Sequence, residues 1–200
     1  MSCGCENTIK NSTMGSVVCS SSGSLVDNNI DCDCNQKSQI IIKGVCSEAK
    51  LNTMLKATDK NWTQLFIPEV LCVPNQKPDI EEIMSVTARV EIISQRVVKT
   101  PGTTGNYNQE FTFLTGKKLI IEGVLRQKVI YTADLPEQSV HCAHFDVPFS
   151  AFIIIPNTIP ITAKFLIETC IEDVYISSCS KRQIFKNVTL FIKATPLLCC

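Results

Sequence analysis

Along the middle of the chain the side chains alternate. Val86, Ala88, Val90 and Ile92 are apolar, while Thr87, Arg89 and Glu91 between them are polar, which is the period-two pattern of a strand with one buried face. Residues 118–132 carry a longer run of the same kind, with Gly123 placed where a bulge or a close approach is expected. Residues 39–46 are rich in β-branched side chains and read as a strand. Residues 62–74 read as an extended segment that Pro68 confines to an edge or a bulge. Further strands are predicted over residues 140–143 and 147–155, separated at Pro148, and over 161–177 and 183–195.

The remaining segments are punctuation. Residues 51–60 stay open between a short helix and a loop, and Asp79 is a candidate cap for a short turn ending near Met84. Residues 99–108, with Pro101, Gly102 and Gly105, read as a hairpin tip. No segment sustains the apolar stripe of an amphipathic helix. Many short strands at this spacing predict an all-β fold, an antiparallel β-sandwich of jelly-roll-like type, over residues 39–196. Residues 1–38 are polar and form an N-terminal connector arm in this reading, and residues 197–200 a short cysteine tail.

Composition narrows the function classes. Hydrophobic residues make up 44% of the 200, which supports one core of ordinary size. Lys and Arg number 19 and so do Asp and Glu, so there is no electrostatic drive toward nucleic acid or an anionic membrane. A zero net charge also removes the repulsion that opposes self-association. The longest apolar run, ending at Pro156, is far short of a membrane span, and the first residues lack the basic and apolar stretches of a signal peptide.

Twelve cysteines change the picture. Cys3, Cys5, Cys19, Cys32, Cys34 and Cys46 crowd the first 46 residues, and Cys199 and Cys200 end the chain. So many thiols are unexpected in a protein kept in a reducing cytosol without metal. Thiols on arms reach neighbouring copies, and adjacent cysteines close only a strained ring, so Cys3, Cys5, Cys19, Cys199 and Cys200 are the candidates for intermolecular disulfides. Cys32, Cys34, Cys46 and Cys179 are further disulfide candidates, with the pairing open. Cys72, Cys142 and Cys170 sit among apolar strand residues, where Cys also serves as a small hydrophobe.

Leu65, Phe66, Ile67, Pro68 and Glu69, then Val73, Pro74, Lys77, Pro78, Asp79, Ile80 and Glu81, begin an ordered set of matches. Val90, Glu91 and Ile92 come next, then Gly123, Val124 and Leu125, then Val129, Ile130 and Tyr131, and last the residues from Val147 to Phe152. Through these the chain resembles the SPOCS family of spore-coat-associated proteins from endospore-forming Firmicutes, over about residues 60–155. The resemblance implies a β-rich module of the protein layers around a spore. Some members add a peptidoglycan-binding LysM module, which these 200 residues do not contain. It also implies synthesis in the mother cell, whose lysis would expose the cysteines to oxidants without a signal peptide.

The expectation is a structural, self-assembling spore-surface protein, of the coat, exosporium or an appendage fibre, with copies cross-linked through terminal cysteines. Its partners are other copies of itself and other spore-coat proteins, with neither nucleic acid nor membrane. Val17 and Val18 are the anchors by which the arm would add a strand to a neighbour. No cofactor and no enzymatic activity are expected. Two alternatives stand beside this reading. One is a monomeric module that recruits another coat protein. The other is a zinc–thiolate protein using Cys3, Cys5, Cys32 and Cys34, although a single intervening residue in each pair is unusual for structural zinc. A thiol nucleophile at Cys142 between His141 and His144 is disfavoured, because strand neighbours point apart.

Overall fold

The computed structural model describes residues 40–55, 60–102 and 114–197. Its elements in chain order are β1 (Ile41–Lys43), α1 (Glu48–Met54), β2 (Trp62–Cys72), β3 (Ile80–Gly102), β4 (Thr115–Ala133), β5 (Val140–Ile154), β6 (Phe165–Ser180) and β7 (Gln183–Pro196). They form two sheets, one of order β1-β3-β4-β5 and one of order β2-β7-β6. β3 lies over β6 and β5 over β2, so the molecule is the all-β sandwich that the alternation predicts. All pairings between the long strands are antiparallel, and only the short β1 runs parallel to its neighbour β3. β3, β4 and β5 form a meander and β6–β7 a hairpin. The sandwich is thus reached without the sheet-to-sheet alternation of a jelly roll.

Inward positions build one core. On β4 every second residue from Leu119 to Ala133 is buried, and on β7 Ile184, Val188, Leu190, Ile192 and Ala194 face it. The phase on β3 is reset by irregularities. Val86, Ala88, Val90 and Ile92 point inward as the sequence pattern requires, then a register shift between Ile92 and Ser94 turns Gln95 and Val97 to the inner side. Such a bulge adds one residue and re-aims the side chains beyond it. Gly123 lies opposite Ile92, at that shift. A Cβ on Gly123 would stand 2.5 Å from the Phe149 ring and 2.8 Å from the Glu91 carbonyl oxygen, so the glycine marks a close approach.

Several boundaries differ from the sequence reading. β5 runs unbroken through Pro148, which pairs with Val124. β5 is an edge strand, and on the free side of an edge a missing N–H costs no ladder bond. Asp79 caps no turn; β3 starts at once with Ile80, and the Asp79 carboxylate instead receives the Arg182 guanidinium. That guanidinium also donates to the carbonyls of Lys77, Val73 and Pro74, which holds the β2–β3 connection beneath the β6–β7 turn. The strand expected over residues 39–46 shrinks to three residues, and the ambiguous stretch contributes α1.

Seven residues are too few for a helix to persist alone, and α1 is held from both ends. Ser47 caps its first turn by accepting from the Lys50 N–H. At the other end the buried Lys193 ammonium donates to the Met54 carbonyl at 2.6 Å. Met54 packs on Cys170 and Phe191, which covers part of the outer face of the β2-β7-β6 sheet. The outer face of the other sheet is charged. There Arg126 on β4 bridges Glu91 on β3 and Asp146 on β5, at 2.6 and 2.9 Å. No described helix is long and apolar enough to cross a membrane.

Candidate functional site

A sandwich joins a second copy most directly through its strand edges, because an edge carries unpaired backbone donors and acceptors. Two edges here are blunted. β2 and β5 lie over one another on one side of the sandwich, and each carries a proline in mid-strand, Pro68 and Pro148. The opposite side is different. Among the described residues β1 covers only Ser85, Val86 and Thr87 of β3. β6 is 16 residues long and, among the described residues, pairs on that side only through the Val45–Ile171 bridge, where the Cys46 N–H donates to the Ile171 carbonyl at 2.8 Å.

The incomplete stretch of β3 and β6 is bounded at both ends. At one end Gly44 lets the chain turn from β3 toward β6. It has φ +100°, and a Cβ there would meet the Ala88 carbonyl oxygen at 1.9 Å. Directly after it, Cys46 is disulfide-bonded to Cys170, with a Cα separation of 5.7 Å. At the other end the Gln95 side chain spans the two sheets and pairs with the backbone of Phe165. Between them Val90, Ile92 and Ile167 are only partly buried, although they pack against the core.

The chain enters and leaves this unit at opposite poles. The first described residue, Ile40, precedes the pairing of Ile41 with Ser85, near the start of β3. The last, Leu197, donates its N–H to the Lys164 carbonyl, beside Phe165 and Gln95. Along β3 that is a separation of about 35 Å, at the usual rise of a strand residue. Residues 1–39 thus join one pole and residues 198–200 the other.

The sequence-predicted site residues fall into two groups. Cys3, Cys5, Cys19, Cys32, Cys34, Cys199 and Cys200, with Val17 and Val18, lie outside the described residues. Of the others, Cys46 is bonded to Cys170, and Cys179 and Cys72 are also disulfide-bonded. Cys170, read from its apolar strand context as a small hydrophobe, in fact carries the bond to Cys46. Its side chain points to the outer face of the sheet, where α1 meets it. Cys142 is a free thiol. Its neighbour His141 stacks beside Tyr131 and bonds the Ser139 hydroxyl through Nε2 at 3.0 Å, whereas His144 is exposed. Among the described residues no three His, Cys, Asp or Glu side chains are grouped to hold a metal ion.

Sequence reasoning missed a polar cluster inside the sandwich. Lys186 on β7 and Glu69 on β2 are directly paired across the sheet. The Lys186 Nζ is 2.7 Å from Glu69 Oε1, with the two side chains 0% and 10% exposed. From the other sheet, Gln127 on β4 directs Nε2 to both Glu69 oxygens at 3.4 Å. Burial pushes the Lys186 ammonium below its ordinary value, and the Glu69 carboxylate opposes that shift. The signal was present in the pattern: Glu69, Gln127 and Lys186 each occupy an inward position flanked on its strand by apolar inward residues, Ile67 and Leu71, Leu125 and Val129, and Ile184 and Val188.

No curated protein and no solved structure matches the chain. The family model of the SipL, SPOCS domain matches residues 79–178, half of the 200. That span takes in all of β3, β4 and β5 and nearly all of β6, so it contains the incomplete edge, the Gln95 clamp and Cys170. It begins later and ends later than the resemblance read from the residues, leaving β2 outside. The chain therefore belongs to the SipL, SPOCS-domain family, a membership that gives it a sporulation-related role.

Proposed function

We propose that this protein is a structural subunit of the spore surface, made in the mother cell, whose copies join head to tail and are then locked by disulfides. The observation that supports the reading is that the first and last described residues, Ile40 and Leu197, lie at opposite poles of the sandwich. An arm at one pole and a thiol tail at the other set up a heterologous contact, and such contacts propagate into open fibres rather than closed rings. Cys3 or Cys5 of one copy bonds Cys199 or Cys200 of the next.

The receiving surface in this reading is the β3–β6 side. Its β6 edge lacks the mid-strand proline that interrupts β2 and β5. An arm strand anchored by Val17 and Val18 supplies backbone bonds to that edge and apolar contact to Val90, Ile92 and Ile167. Ile93 and Leu166, 60% and 53% exposed, add apolar surface near the same side. Zero net charge leaves little repulsion between approaching copies.

Deleting residues 1–20 tests the arm. Negative-stain microscopy of the oxidised full chain is expected to show fibres, and the deletion variant to remain a folded monomer with unchanged β-type circular dichroism. Fibres formed equally well by the deletion variant overturn the role given to the arm.

A further inference from the structure

We propose that Lys186, Glu69 and Gln127 form an internal site of autocatalytic amide cross-linking, in which Lys186 Nζ becomes bonded to Gln127 Cδ and one ammonia is released. The site joins the two sheets, and its existence does not depend on whether copies polymerise. A charged pair inside a sandwich core is a costly arrangement, since desolvation offsets much of the attraction. Here the pair comes with a third group of matched chemistry. Glu69 Oε1 contacts the Lys186 amine at 2.7 Å and the Gln127 amide nitrogen at 3.4 Å. One carboxylate oxygen therefore touches both the nucleophile and the leaving group. Gln127 Oε1 is buried and has no hydrogen-bond partner among the described residues, so it stands in need of a donor.

The step balances without an added reactant. The step starts with the Lys186 ammonium, disfavoured by burial, passing a proton to the Glu69 oxygen 2.7 Å away, which leaves a neutral amine. The Lys186 Nζ lone pair attacks Gln127 Cδ, and the electrons of the carbonyl bond move onto Oε1. Glu69 gives its proton to Nε2, which it faces, and takes one from the attacking Nζ. The Cδ–Nε2 bond breaks, ammonia leaves, and the Nζ–Cδ amide remains beside a protonated Glu69. Nothing is oxidised or reduced. Holding both groups against one carboxylate converts a reaction that is very slow in water into an intramolecular one. The product replaces a buried ion pair by a neutral amide and ties β7 covalently to β4.

The test is the intact mass of the full-length chain after complete reduction, followed by tryptic mapping. The expected mass is that of the sequence less one ammonia. The mapped peptide is expected to be branched, with Gln127-Lys128 joined to the peptide running from Gln183 to Lys193 through Lys186. Glu69→Gln, which keeps the shape but cannot carry the proton, is expected to return the full sequence mass, and Lys186→Arg likewise. A wild-type chain of full mass overturns the proposal. So does an ammonia deficit that maps elsewhere, and a branched peptide that persists in Glu69→Gln removes the role given to Glu69.

Discussion

Gln95 grips Phe165 by both backbone groups: its Nε2 donates to the Phe165 carbonyl at 2.8 Å, and its Oε1 accepts from the Phe165 N–H at 3.0 Å. A side chain on one sheet thereby stands in for the strand that, among the described residues, the first residue of β6 lacks on the side away from β7. The bulge after Ile92 is what turns Gln95 inward to do so. Gln95→Ala leaves two backbone groups without this partner in a half-buried place. The expected loss is about 1–3 kcal/mol, read as a lower denaturant midpoint with an unchanged slope. An unaltered midpoint contradicts the clamp.

Gly44 is the sharpest single requirement in the chain. Gly44→Ala combines a positive φ with a Cβ placed inside the Ala88 carbonyl contact. Backbone strain and overpacking together are expected to cost about 2–5 kcal/mol. Thermal unfolding of the two proteins side by side measures it, and a shift within error shows that the turn toward β6 is not needed.

The Cys46–Cys170 bond closes a sequence separation of 124 residues. Cys46→Ala with Cys170→Ala is expected to lose about 2–5 kcal/mol, since the bond restricts the unfolded chain over a long loop. Loosening should concentrate where α1 meets the sheet, so hydrogen exchange in residues 48–54 is expected to rise more than in β4. Uniform protection across both regions contradicts the pinning of α1.

Acid should weaken the charged outer face. The hydrogen bond and charge of Arg126 hold the Glu91 carboxyl below its ordinary value of 4.5. Chiefly the Ser94 hydroxyl bond, aided by Arg96, does the same for Glu122. A carboxyl lowered in the folded state contributes stability above its unfolded value, and that contribution fades as pH falls through the folded value. Stability from these groups is therefore expected to be level above about pH 5 and to decline below it. Glu91→Gln and Glu122→Gln should flatten that decline. Both carboxylates are exposed, so the effect is small; an acid limb identical in the double variant contradicts the assignment.

Much of this architecture is legible in the residues themselves, for a physical reason. One face of each long strand is buried, so Val86 to Ile92 and Leu119 to Ala133 must alternate. Pro68 could be assigned to an edge because it cannot donate within a ladder. What escaped was whatever depends on distant partners. Pro148 reads locally as a break, and only its place on an edge strand makes it tolerable. Asp79 looks like a cap until Arg182, 103 residues away, is brought to it. Cys46 and Cys170 meet only because Gly44 turns the chain out of β1. Glu69, Gln127 and Lys186 were each visible as polar residues in apolar rows, but their convergence needs both sheets in place.

The central claim is that copies of this chain are joined through thiols on opposite ends. Electrophoresis of the oxidised full chain, run with and without reductant, tests it most directly when paired with a variant carrying Ser at Cys3, Cys5, Cys19, Cys199 and Cys200. The account predicts a ladder of multimers that reductant collapses to monomer and that the variant never forms. A single monomer band from the wild-type chain without reductant would contradict it.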